Sequence, residues 1–272
     1  MPALTAQSVP FYRMVDKPKD DIWLAGLDAC RGGWLVVFVR PGRGEIQSPR
    51  IIQEFADVLE SIEKPRIVAV DIPIGLPEQS EIKGRAPERE VRPLLGKLKS
   101  SVFRVPSRRA IEVGVDDAIS DHKERYLHCC AIARSTSLDN KAFGKQSFCL
   151  FRKIIQVDRV LRTERQPNER VFEVHPEVAF WRLNGSEPLS EPKKCNHRCH
   201  EPGLACRRRL LITEGFPDDI VNAVPPDGAD YDDLLDALAC AAIARRIHKK
   251  RAKSFPHAYK CDAFGLRMAI WA

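Results

Sequence analysis

The chain has 272 residues, 44% of them hydrophobic, which suits a sizeable core and places the length at the upper end of one large domain. It holds no run of about 18 apolar residues, which excludes a helical membrane span, and Met1 to Asp20 lacks the apolar stretch of a secretory leader. A net charge of +7 suits a polyanionic partner, and nine irregularly spaced Cys fit reduced thiols in the cytoplasm better than a disulfide scaffold.

In chain order, residues 1–20 read as a tail and 21–272 as a single domain, with a basic insertion near 78–135 and a Cys-rich loop near 186–206. Ile22 to Asp28 reads as a strand, Ala29 to Gly33 as a turn and Trp34 to Arg40 as its hairpin partner. Glu45 to Ile52 is a candidate third strand. The spacing of Phe55, Val58, Leu59 and Ile62 predicts an amphipathic helix ending before Pro65. Arg66 to Ile72 is then an apolar strand that a crossover helix returns parallel to an earlier one. Pro73, Gly75 and Pro77 break the pattern. Helices are expected at Glu88–Leu98, Asp121–Arg134 and Ser147–Arg162, and another strand at Val171–Phe180. After the Cys-rich loop come a short helix, Arg207–Glu214, and a long one, Tyr231–Lys250. The order predicts an α/β fold.

The chemistry concentrates on two strands. Leu24-Ala25-Gly26-Leu27-Asp28 and Val68-Ala69-Val70-Asp71 each run apolar and place one Asp at the carboxyl end. Open α/β sheets put their sites there. Converging carboxylates repel unless a proton or a hard cation neutralises them. Either Asp alone could simply cap a turn; the matched pair favours a site. In the last helix Asp233 and Asp236 share a face, and Asp236 lies on the stripe of Ala239, Cys240, Ile243 and Ile247. Helix capping accounts for Asp232 or Asp233 better than for Asp236.

Glu173 and His175, two apart on the expected strand, would face the same side. Glu173 could be a further metal ligand or an acid behind the ligands, and His175 could orient water; a solvated strand-edge pair is the plainer alternative. The basic run Arg85, Arg89, Arg92, Lys97, Lys99, Arg104, Arg108 and Arg109 follows the Asp71 strand and could overhang the acids, where it would meet phosphates. A solvated face is the usual outcome for such a run. The Arg245 to Lys253 cluster reads as a helix end complementing the dipole. Cys195, His197, Cys199, His200 and Cys206 fit no standard zinc spacing.

Gly26-Leu27-Asp28-Ala29-Cys30-Arg31-Gly32-Gly33-Trp34 resembles the opening signature of the domain-of-unknown-function family 429 (DUF429), described as predicted RNase H-like nucleases. Val70-Asp71-Ile72-Pro73-Ile74-Gly75-Leu76-Pro77, Arg92 to Gly96 with Ser100 to Phe103, Gly144-Lys145-Gln146 leading to Asp158, Phe172-Glu173-Val174-His175-Pro176-Glu177 and Asp233 to Ala239 follow in the family's order. The last also resembles the closing helix of RuvC-type junction resolvases.

The resemblance implies an RNase H-like fold, a mixed central sheet flanked by helices. It implies Asp28, Asp71 and Asp236 as catalytic acids; Glu173 joins them as a catalytic candidate from its place on the strand. It further implies two Mg²⁺ or Mn²⁺ ions on Asp28, Asp71, Asp236 and nearby Asp233, hydrolysing nucleic acid to 5′-phosphate and 3′-hydroxyl ends. Arg31, Arg85, Arg92, Arg104 and His175 are the substrate-binding candidates. Two other functions stay open: an actin- or sugar-kinase-like phosphotransferase gripping a nucleotide with the Asp28–Gly33 hairpin, and a nucleic-acid-binding module without catalysis.

Overall fold

Alternation along the strands decides the architecture. In β1 (Leu24–Cys30) and β2 (Gly33–Arg40) the odd and even side chains fill two separate apolar cores. Both faces of the sheet are therefore covered, as a sheet with parallel strands requires. The computed structural model describes residues 21–164, 167–196 and 198–272; the expected tail at 1–20 lies outside them.

The expected third strand is two short ones, β3 (Glu45–Ile46) and β4 (Arg50–Ile52), both paired to β2. Helix α1 (Phe55–Glu60) leads to β5 (Ile67–Val70). The insertion holds α2 (Ala86–Val91), a 3₁₀ stretch (Arg92–Ser101) kinked at Gly96, α3 (Arg108–Gly114) and α4 (His122–Ser135). Then come α5 (Lys145–Cys149), α6 (Phe151–Thr163), α7 (Pro167–Arg170), β6 (Val171–Glu173) and α8 (Pro176–Leu183). A small hairpin, β7 (Lys194–Cys195) and β8 (Arg198–Cys199), precedes α9 (Glu201–Thr213), α10 (Asp218–Val221), α11 (Tyr231–His248), β9 (Ser254–Cys261) and β10 (Arg267–Trp271).

Several expectations are corrected. The strand expected over Val171–Phe180 lasts three residues, because Pro176 takes the first helical position and starts α8. The helix expected over Glu88–Leu98 ends at Val91 and continues as 3₁₀ turns. The Cys-rich loop contains a hairpin, and α9 begins at Glu201, six residues before the expected Arg207.

The main sheet is mixed, in the order β3–β2–β1–β5–β6–β10–β9, with β4 also on β2. β1, β5, β6 and β10 run parallel to their neighbours in that series, and the outer pairs are antiparallel. One face presents Leu24, Leu35, Val37, Ile67 and Ala69 to α8, α9 and α11. The other presents Ala25, Leu27, Trp34, Val68 and Val70 to α1, α3, α4 and α6.

Helix α11 lies directly on β1, and Gly26 is the reason it can. A Cβ at Gly26 would stand 2.1 Å from Ala241 N and 2.3 Å from Ala237 O. No helix of the described residues is long and apolar enough to cross a membrane.

Candidate functional site

The parallel register sets the first two acids side by side. Leu27 pairs with Val70, and Asp71 N donates to Leu27 O at 3.0 Å, so Asp28 and Asp71 leave neighbouring strand ends together. By alternation each follows Leu24–Gly26 or Ile67–Ala69 onto the face covered by α11. Asp236 comes down from α11, one turn before buried Cys240. The three carboxylates line one cavity of about 170 Å³ with His175, Glu177 and Lys193, walled by Pro73, Phe103 and Leu150.

These acids are costly to ionise. Asp28 is 7% exposed and Asp236 1%. Burial pushes the Asp28 and Asp71 carboxyls well above the usual carboxylate range, and repulsion from neighbouring acids, Asp236 among them, pushes further. Asp236 is raised by burial, against the pull of Lys193. The same field raises the Cys240 thiol, chiefly through burial.

One ammonium sits among them. Lys193 Nζ pairs with Asp236 Oδ2 and lies 3.5 Å from Asp232 Oδ2, which Lys194 Nζ holds at 2.7 Å. Burial would lower the Lys193 pKa, but Asp236, Asp28 and Asp232 raise it instead. Asp236 Oδ1 and Asp232 Oδ1 are buried with no hydrogen-bond partner. Glu177 adds a further carboxylate, clamped by Arg207 with both oxygens at 2.6 Å. Spacing in the sequence does not join Lys193, Asp232 and Glu177 to the acids; the fold does, through the loop before β7, α11 and α8.

The other candidates divide. Glu173 pairs with Val70, whose side chain belongs to the opposite core, so it leaves β6 on the face away from Asp28 and Asp71. It accepts from Arg85 at 2.6 Å and from Ile74 N at 2.8 Å. Glu173 thus takes its hydrogen bonds from Arg85 and Ile74, while its charge still raises Asp71. Burial raises Glu173 to about 7 against the pull of Arg85, with repulsion from Glu88 adding to the rise. His175 parts from Glu173, since the strand ends between them, and lines the acid cavity. Its Nε2 is 3.3 Å from Ser101 O, its Nδ1 is buried without a partner, and burial lowers its pKa to about 4.

Three of the candidate substrate-binding arginines spend donors on the protein itself. Arg85 is buried and also donates to Ile74 O and Gly75 O. Arg92 donates to Val102 O and Lys83 O, and Arg104 pairs with Asp139 while donating to Glu81 O. A guanidinium carries five donors, so it can satisfy the irregular backbone of such an insertion. Arg31 stays exposed on the β1–β2 turn. Asp233 spends one oxygen on Asp230 N at 2.8 Å, closing the capping box of α11.

Among the described residues no three Asp, Glu, His or Cys side chains form a ready metal-binding group; His197 of the Cys-rich hairpin lies outside them. A family model described as "Protein of unknown function (DUF429)" matches residues 26–260, most of the chain. No curated protein and no solved structure matches it.

Proposed function

The chain belongs to the DUF429 family, and from the geometry of its acidic cavity we propose that it is a divalent-metal-dependent nuclease of RNase H-like fold. One observation carries this reading: Asp28, Asp71 and Asp236 meet in one buried cavity, with a single ammonium among three carboxylates. Buried charge without a partner is expensive, and a hard cation with oxygen ligands balances it. The buried, unpartnered Asp236 Oδ1 fits such an ion.

Asp28, Asp71 and Asp236 would hold Mg²⁺ or Mn²⁺; the two-ion arrangement belongs to the resemblance and would draw on the same three. When bound, such an ion supplies Lewis acidity and a more acidic water. The chain's own groups do the rest. With its pKa lowered by burial, His175 stays neutral, and with Nε2 donating to Ser101 O its buried, unpartnered Nδ1 is left as an acceptor. Lys97 and Lys99 are exposed on the stretch that leads to Ser101 at the rim, and Arg31 is exposed three residues after Asp28. These three can meet phosphates.

The phosphotransferase reading needs free amides in the β1–β2 turn. There Gly32 N already donates to Gly228 O at 2.9 Å, which favours the nuclease.

The test is a panel of labelled single-stranded, duplex, hybrid and branched nucleic acids incubated with Mg²⁺ or Mn²⁺. Wild type should cleave at least one, and Asp71→Asn should lose at least about 100-fold in rate, as loss of metal affinity would cause. Cleavage by neither protein would overturn the proposal.

A further inference from the structure

Lys193 lines the cavity, and the nuclease reading gives its ammonium no task. Its position is built into the fold. A Cβ at Gly203 would stand 1.9 Å from Pro192 O, so glycine there lets α9 press against the residue preceding Lys193. Arg207 donates to Glu191 O at 3.1 Å and to Gly203 O at 2.8 Å, and it grips Glu177 on α8. His200 N donates to Lys193 O at 2.9 Å. The backbone of 191–193 is thereby fixed, while the lysine reaches the acids on a flexible stem.

That stem places Nζ on Asp236 Oδ2, beside the unpartnered Oδ1 that would face a metal ion. A divalent cation on Oδ1 works against the ammonium on Oδ2, because two cations held a few ångströms apart on one buried carboxylate repel strongly. The lysine's partial exposure, 27% of the side chain, leaves it a way out toward the cavity mouth.

We propose that Lys193 is the resident cation of the acid cluster, and that a divalent ion enters by displacing its ammonium from Asp236. The inference rests on the metal-dependent reading above. It gives the site a built-in competitor, which weakens metal binding and spares the metal-free fold three unbalanced carboxylates. Lys194, paired with Asp232 alone, has no such part.

Two measurements test it without reference to cleavage. The first titrates Mn²⁺ into wild type, Lys193→Met and Lys194→Met, reading free Mn²⁺ by electron paramagnetic resonance. Lys193→Met should bind at least about tenfold more tightly, the least that removing a competing charge at this range implies. Lys194→Met should stay within about twofold of wild type, because Asp232 is not a ligand. The second uses wild type only, so it does not depend on whether the variant folds. Amine-reactive labelling, read by peptide mass spectrometry, should rise at Lys193 when Mg²⁺ is added and stay constant at Lys194. Wild type that binds Mn²⁺ with Lys193→Met no tighter, or labelling of Lys193 indifferent to Mg²⁺, would overturn the displacement and leave the nuclease reading standing. No Mn²⁺ binding by either protein would overturn both.

Discussion

Asp71 shows how a single carboxylate can weaken a fold that it serves. Its carboxyl is raised by burial and by Asp236, and no side-chain hydrogen bond among the described residues relieves it. An acid whose pKa is raised on folding binds more protons in the native state than in the unfolded chain. Stability is then greatest below the ordinary value of 3.8 and declines as pH climbs past it. Asp28 is shifted in the same sense, so the two effects reinforce. Metal-free wild type should lose stability between acidic and neutral pH more steeply than Asp71→Asn. At pH 7 the Asn variant should be the more stable by about 1 kcal/mol or more, a melting temperature roughly 2–4 °C higher. Saturating Mg²⁺ should reverse the order, because only wild type keeps the full set of ligands. Thermal melts across pH, with and without Mg²⁺, check this; a metal-free Asp71→Asn that melts below wild type at pH 7 would contradict it. The acids were legible because an Asp closing an apolar strand, or sitting on an apolar helical stripe, breaks a local rule. The place of Lys193 among them was not, because a lysine in a Pro- and Cys-rich loop breaks no such rule.

At the scale of elements, the helix–strand contact between α11 and β1 positions the site. Gly26 and Asp28 share a face of β1, so the glycine that admits the helix also fixes how near Asp236 comes to Asp28. Gly26→Ala must push against helix backbone, which has no rotamer to yield. A loss of about 3 kcal/mol or more is expected, with melting lowered by roughly 6 °C or more and Mn²⁺ affinity reduced in parallel. A wild-type melting temperature in that variant would show that α11 is less closely seated. The hairpin, the crossover helix and α11 were readable because periodicity reports burial on one face. The C-terminal hairpin went unread: β9 buries only Pro256 fully, so the sequence there has no apolar alternation. Helix α3 was hidden within the basic run because Arg108 is buried against Asp158 and Asp262, a pairing that spacing does not announce.

For the whole molecule, the question is where the net charge of +7 acts. The basic insertion looked like a phosphate-binding surface in the sequence. Folded, it turns Arg85, Arg92, Arg104 and Arg108 toward carbonyls and carboxylates and leaves Lys97, Lys99 and Arg109 outward. Arginine's fork suits the first task and lysine's hydrated point charge the second. Any attraction for nucleic acid at the cavity rim therefore rests on few side chains, and it can be counted. Each phosphate neutralised contributes about 0.7–0.9 to the slope of log affinity against log salt. Affinities measured with Asp71→Asn, so that substrate survives, should show a slope shallower by about 1.4–1.8 when Lys97 and Lys99 are both changed to Ala. Arg104→Ala should instead lower the melting temperature by freeing Asp139 and Ser137, with the slope unchanged. The opposite pattern, a slope that follows Arg104 and ignores the two lysines, would place the nucleic acid on the insertion's other side and away from the acids.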